Sequence, residues 1–545
     1  MKTYAFHRCL ALILCAALHA AGGSAYAQKD DAANVSNDIK KIMDKPQYAG
    51  ALWGLRVIDL ESGNELVNLN PGRRFFIASV RKTFSVGELM DKVGPDHRYN
   101  TPVYRQGKVN RRGVLDGDLI VVASGDLTMG GRTNPDGSVA YTFFDHNEAD
   151  GLGNAILTKP DPLAGYKELA RQVAASGITE VKGDVAIDDR LFEAYEFRDE
   201  FKMRPIFVND DLVDMIIHPE AQGDLASLHY RPHSDALTVE NDVRMTASNT
   251  KAVIKPQLPT CIGDPDGCSV TLTGSLPVGY TPPLTGTYPL IRTYRIAQPA
   301  DYARTVFIEA LREANVKVKA QTLGPNPVEV LPAKDCYKAS ERVAELRGLP
   351  YSENGKLVMK VSYNLGADES LLLWGVAEGV DNMDAALALE KQNLSENFGI
   401  PQSEYTFLDG SGGSDTTATN EAVTHFLVEM SKRSYFARYH ATFPILGVDG
   451  SLGTVTDFEE DKSLAGAKGQ VFAKTGTYIA AGGPTGVQLK AQAFGGYLTS
   501  RTGKKLVYQL VVNNVPLNDP EDPVLEIVGV FQDEGRISAM LWRDF

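Results

Sequence analysis

Ser79 and Lys82 stand three residues apart, a spacing that on a helix puts two side chains on one face about a turn from each other. Phe75-Phe76-Ile77-Ala78 before them and Thr83-Phe84-Ser85-Val86-Gly87-Glu88-Leu89-Met90 after them form a largely apolar segment that would bury the lysine stem. Burial lowers a lysine pKa, so the pair reads as a serine nucleophile with a lysine base. Two further strings carry compatible chemistry. Lys474-Thr475-Gly476-Thr477 follows the apolar Gln470-Val471-Phe472-Ala473 and reads as a strand whose glycine lets a ligand lie against the backbone, suited to binding a peptide by strand addition. Ser362 and Asn364 are alternate residues after Val358-Met359-Lys360-Val361, and would point to one side if that segment is extended.

Ser79-Val80-Arg81-Lys82, Ser362-Tyr363-Asn364 and Lys474-Thr475-Gly476 resemble, in this order along the chain, the active-site motifs of penicillin-binding proteins and serine β-lactamases. Ser79 and Ser362 are 283 positions apart and Ser362 and Lys474 only 112, so a large insertion lies between the first two motifs. That arrangement resembles the low-molecular-mass class C penicillin-binding proteins, the D-alanyl-D-alanine carboxypeptidases/endopeptidases. Ser124-Gly125-Asp126-Leu127-Thr128, Gly183-Asp184-Val185, Leu408-Asp409-Gly410-Ser411-Gly412 and Gly447-Val448-Asp449-Gly450-Ser451-Leu452 extend the likeness over almost the whole mature chain.

The resemblance implies roles and a fold. Ser79 would attack the D-alanyl-D-alanine carbonyl, Lys82 would take its proton, and Ser362 would relay a proton to the leaving amine. Asn364 would hold the acyl-side amide, Lys474, Thr475 and Gly476 would form the carboxylate-binding strand, and the backbone N–H groups of Ser79 and Thr477 would form the oxyanion hole. No cofactor or metal is called for, and β-lactams would be covalent inhibitors. The fold class expected is multidomain α/β (α+β): a β-lactamase/transpeptidase-like antiparallel sheet flanked by helices, carrying inserted β-rich accessory domains. Residues 28–99 plus 345–545 would be catalytic and 100–344 an inserted accessory region, which the resemblance implies is two domains. Two rival functions share these features: a β-lactamase or esterase using the same site, and a catalytically silent cell-wall-binding protein. Departures from the family pattern are Gly413-Ser414-Asp415 after the Asp409 loop and a long connection after Thr477, which would reshape the mouth of the cleft.

Residues outside the site bound the setting. A basic start at Lys2 and Arg8, an apolar run from Cys9 to Ala21 and Ala25-Tyr26-Ala27 read as a signal peptide over residues 1–27, implying an exported, periplasmic protein without a transmembrane segment in its mature part. About 518 residues then remain, more than the roughly 250–300 that one core sustains. Removing Lys2 and Arg8 takes the formal charge from −14 to −16, which argues against a nucleic-acid partner. The partners implied are peptidoglycan stem peptides, with a homo-oligomer also open. Acidic runs such as Asn209-Asp210-Asp211 and Glu459-Glu460-Asp461 read as solvated surface. Cys261 and Cys268 bracket a turn-rich loop that a disulfide could close in an oxidising compartment, although Cys336 could pair with either of them or remain a buried thiol. Pro232 within His229-Tyr230-Arg231-Pro232-His233 disfavours a zinc site on a helical turn.

Overall fold

The structure, a computed structural model, describes residues 32–255, 261–264, 266–282, 284–483, 485–519 and 523–545. The signal peptide expected over residues 1–27 therefore lies outside the described residues. The principal sheet is formed from the two ends of the chain: β1 (Ala32–Ala33), β2 (Leu52–Asp59), β3 (Glu65–Leu69), β4 (Val471–Ala481), β5 (Val487–Thr499) and β6 (Lys505–Pro516). Their order is β1-β3-β2-β6-β5-β4, every pair antiparallel, so β4 is an edge strand. Alternation along the strands supplies two apolar faces. Leu55, Val57, Phe494, Tyr508 and Leu510 pack with the helices Asn37–Met43 and Val524–Asp544, whereas Ile58, Ala493, Tyr497, Val507 and Val511 pack with the helices around Ser79.

Those helices are α1 (Lys82–Val93), α2 (Tyr351–Lys360) and α3 (Asn364–Glu378). Phe84, Val86, Leu89 and Met90 are fully buried on α1, and Gly87 lets Phe426 come close enough that an added Cβ would lie 2.8 Å from its ring. The helix stops at Gly94, whose φ of 87° is a conformation that L side chains rarely adopt, with Pro95 following.

The stretch between α1 and α2 builds its own layers. Lys317–Val318, Glu180–Val181, Val114–Val122, Thr101–Val109 and Arg342–Leu346 lie side by side in one sheet, so the strands entering and leaving the stretch pair with each other. Helices Ala164–Ala175 and Pro299–Glu313 share its core with two three-stranded sheets. Cys268–Pro277 is the central strand between Leu237–Thr246 and Val253–Lys255. Its Val270, Leu272 and Leu276 are buried, which is why it sits inside.

A disulfide joins Cys261 and Cys268. Cys336 is free and exposed, so the buried-thiol reading is corrected: the Ala333–Cys336 turn lies on the surface. Closing so short a loop constrains the unfolded chain by about 2–3 kcal/mol. Reduction, or Cys268→Ser, should lower the unfolding free energy of this region by that amount in a denaturant titration, while Cys336→Ser should leave it unmoved.

The Asn209-Asp210-Asp211 run is also corrected. Asp210 and Asp211 are buried, at 2% and 0% exposure, because Arg132 reaches in to pair with Asp210 and with Asp145, while His146 lies 2.8 Å from Asp210 Oδ2 and 2.7 Å from Asp214 Oδ1. The ligand atoms of Asp145, His146 and Asp210 lie within 4.8 Å of one another, a spacing that metal ligands share. Both imidazole nitrogens already face carboxylates, however, and the Arg132 guanidinium holds the cationic position between Asp145 and Asp210.

Candidate active site

The site forms where α1, the α2–α3 turn and the edge strand β4 meet. Ser79 lies in a 3-10 turn, Ala78–Arg81, that runs directly into α1. Ala78 before it has φ 45°, an uncommon left-handed value for a residue with a side chain. The Asp409–Gly413 loop presses on this turn: a Cβ on Gly412 would lie 2.0 Å from the Ala78 carbonyl oxygen, and buried Arg81 donates through Nε to the Asp409 carbonyl at 3.0 Å.

Lys82 is fully buried, and its Nζ lies 2.5 Å from Ser79 Oγ, 2.7 Å from Asn364 Oδ1 and 2.9 Å from the Ser411 carbonyl oxygen. The last two atoms can only accept. A neutral amine has two N–H bonds to give them, which leaves its lone pair for the Ser79 hydroxyl proton. Burial, then the nearby Arg198 charge, bring Lys82 down to about 7, against the opposing pull of Glu148, Asp368 and Asp409. Asp368 opposes weakly at neutral pH, because burial and the neighbouring Asp409 push its own carboxyl up to about 8.

Ser362 and Asn364 are not on an extended segment. Residues 351–360 are helical, Ser362 turns the chain with φ 61°, and Asn364 opens α3. The turn sends the two side chains to different lysines: Lys474 Nζ donates to Ser362 Oγ at 2.9 Å, while Asn364 meets Lys82. Burial and the Lys82 charge hold Lys474 well below the usual lysine range. Thr475 Oγ1 lies 2.8 Å from Ser451 Oγ, and exposed Thr477 donates to Gln492 Oε1 at 3.0 Å.

Gly476 has a different reason from the expected one. A Cβ there would meet the Ile77 carbonyl oxygen at 2.4 Å and the amide nitrogens of Ser79 and Val80 at 3.1 Å, so the glycine lets β4 close on the Ser79 turn. Gly476→Ala should push the two apart and slow acylation by a labelled penicillin about 10²-fold, the cost of a misplacement near 1 Å.

The long connection after Thr477 is mostly sheet. β4 continues to Ala481 and β5 begins at Val487, with the register shifting between Tyr478 and Ile479. Asp415 is exposed. Sequence reasoning missed Arg198, which donates to Ser411 Oγ at 3.0 Å from the hairpin Tyr195–Phe197/Phe201–Met203, and half-buried Glu148 of the inserted stretch. No local pattern marks either residue. Ser411 and Ser451, by contrast, lay in strings already singled out.

A helix-flanked antiparallel sheet with a serine hydroxyl meeting a buried lysine amine at its edge is the architecture of the penicillin-binding serine peptidases. The chain belongs to the D-Ala-D-Ala carboxypeptidase 3 (S13) family, whose model matches residues 35–531. Membership bears out the resemblance to low-molecular-mass class C penicillin-binding proteins and makes the protein a serine-type D-alanyl-D-alanine carboxypeptidase acting on peptidoglycan. It is similar to the D-alanyl-D-alanine carboxypeptidase of Actinomadura sp. (strain R39), with 25% identity over 465 residues, 81% of this chain and 76% of that protein. The fold is similar to penicillin binding protein 4 from Haemophilus influenzae, with TM-score 0.67, 17% identity, and coverage of 93% of this chain and 100% of that one. A β-lactam complex of the same Haemophilus protein gives TM-score 0.64 at 18% identity, again over 93% and 100% of the chains.

Proposed function

We propose that this serine D,D-peptidase works through an acyl-enzyme on Ser79, with Lys82 as the base. The observation that carries the reading is the Lys82 amine, whose two N–H donors have acceptors in Asn364 and Ser411 while Ser79 Oγ stands 2.5 Å away. Ser79 Oγ attacks the carbonyl of the D-alanyl-D-alanine bond as its proton passes to Lys82. Ser362, held by Lys474, relays a proton to the departing amine. Lys474 and Thr475 anchor the leaving carboxylate, Asn364 holds the acyl-side amide, and the N–H groups of Ser79 and Thr477 stabilise the oxyanion, where one such donor is worth about 2.7–4 kcal/mol. Water then hydrolyses the acyl-enzyme. β-Lactams acylate the same serine, and D-alanyl cross-links are cleaved as well as termini. We place the enzyme outside the cytoplasmic membrane, and no helix among the described residues is long and apolar enough to cross one. The catalytic unit in this proposal is 28–99 plus 345–545, with 100–344 inserted as two accessory domains.

Incubating the purified protein with a labelled penicillin and with a pentapeptide, mapping the adduct and assaying free D-alanine tests this. The expected result is a stable Ser79 adduct and alanine release that Ser79→Ala abolishes. An adduct turning over within minutes with no alanine released would indicate a β-lactamase, no adduct at all would indicate a silent wall binder, and release surviving Ser79→Ala would sink the mechanism.

A further inference from the structure

A cavity of about 760 Å³ lies between the inserted stretch at residues 134–159 and the catalytic face formed by Lys356, Lys360, His440, Asp449 and Phe472. The inserted wall is tied to the catalytic one. The Val139 amide donates to Glu353 Oε2 at 2.9 Å, the Tyr141 hydroxyl donates to Asp449 Oδ2 at 3.3 Å, and the Phe143 ring lies against Gly453.

Three segments of the site lead into this space. Phe472 is two residues before Lys474 on the same strand, so their side chains share a face about 7 Å apart. Lys360 is two residues before Ser362, and Asp449 two before Ser451, which bonds Thr475. Along β4 the order from Thr477 to Lys474 runs from the oxyanion position to the leaving-side carboxylate anchor. Phe472 and the cavity are the next step in the same direction. The cavity therefore continues the cleft on the leaving-group side, a placement that rests on the roles proposed above for Lys474 and Thr477.

Its size and charge select an occupant. Released alanine has six heavy atoms, whereas cavities of about 300–1,000 Å³ hold drug-sized molecules. Lys356 is paired with Glu353 at 2.6 Å, and Lys360 with both Asp449 oxygens at 2.7 Å. Exposed Lys159 has no carboxylate partner among the described residues, and Ile156 and Phe472 offer apolar surface in the same cavity.

We infer that this cavity is the subsite for the leaving strand of a D,D-cross-link: a second stem peptide joined through the side-chain amine of a diamino acid, with a free carboxylate facing Lys159. In the acylation step the Ser79 Oγ–carbonyl bond forms and the carbonyl–nitrogen bond breaks. The proton taken from Ser79 ends on the amine, which departs with its stem peptide through the cavity.

The test compares kcat/KM on a D,D-cross-linked muropeptide dimer and on a monomeric pentapeptide, in the wild type, Lys159→Ala and Ala441→Trp, with folding checked by melting temperature. Ala441 is exposed at the cavity wall, so its tryptophan would fill space without disturbing a core. The dimer-to-pentapeptide ratio should fall several-fold in Lys159→Ala and about tenfold or more in Ala441→Trp, since loss of orienting binding energy is felt in kcat/KM. A ratio within twofold of wild type in both variants would overturn the inference. So would a wild type that releases alanine from the pentapeptide and leaves the dimer intact, an outcome under which the carboxypeptidase mechanism stands. Failure on both substrates would sink that mechanism and the subsite with it.

Discussion

Lys82→Ala should lower the rate constant for Ser79 acylation by about 10³-fold, within the 10²–10⁴ that a positioned base contributes. Lys82→Arg should be as inactive, because a guanidinium keeps the positive charge and never deprotonates near neutral pH. If Lys82→Arg retained more than about a tenth of the wild-type rate, the lysine would be acting through its charge and the base assignment would be wrong. The wild-type acylation rate should rise about tenfold per pH unit below pH 7 and level off above it, since the active form is the neutral amine and Lys82 is held at about 7. Arg198 is one cause of that depression, so Arg198→Ala should move the rising limb to higher pH. Stopped-flow acylation with a chromogenic β-lactam across pH 5 to 10 reads all of these.

Arg132→Ala should cost about 3–5 kcal/mol of stability, the penalty for removing one partner of a buried ion pair. Asp145 and Asp210 would be left as buried carboxylates, each only 2% exposed at its side chain, without the guanidinium that holds both below the usual carboxylate range against burial. The damage should reach the site as well. Asn209, Asp210 and Asp211 have φ of 51°, 59° and 55°, three consecutive left-handed residues that persist only while their surroundings over-determine them. The Asp210 carbonyl accepts the Tyr363 hydroxyl at 3.4 Å, between Ser362 and Asn364 in sequence. Penicillin acylation should therefore slow along with the fall in the denaturation midpoint. A loss of less than about 1 kcal/mol of unfolding free energy in Arg132→Ala would refute the network as a stabilising element.

The same network has a pH signature. Burial alone would lower His146, but Asp214 and the hydrogen bonds to Asp210 and Asp214 outweigh it and push the imidazole up to about 9. A group whose folded pKa is raised binds more protons folded than unfolded, so its contribution is complete below about 6.5 and lost as pH rises through 9. The stability difference between wild type and His146→Gln should shrink over that window, measured by denaturant titration at fixed pH.

Much of the site was legible locally because helix and strand periods are local. Ser79 and Lys82 meet through i, i+3 spacing, and the apolar run before Lys474 marked a strand. The Ser362 turn was misread because its preceding apolar run, Val358-Met359-Lys360-Val361, suits either a buried helix or a strand. The acidic run at 209–211 was misread because charge pattern reports a residue's own preference for water, and Arg132 lies too far along the chain to be counted.

By itself the sequence determined the Ser79 and Lys82 pairing, the strand that carries Lys474 and the 283-position gap that separates the first two motifs. Only the tertiary structure decided that Lys82 has acceptors for both its N–H bonds, because Asn364 and Ser411 arrive from 282 and 329 positions away. It likewise decided that Asp210 is buried, that Arg198 reaches the Ser411 hydroxyl, and that residues 134–159 wall a cavity with Lys360, Asp449 and Phe472. The physical reason is common to all of these. Dihedral preference and side-chain period act within a turn or two, whereas burial, charge pairing and cavity shape follow from which distant surfaces pack together.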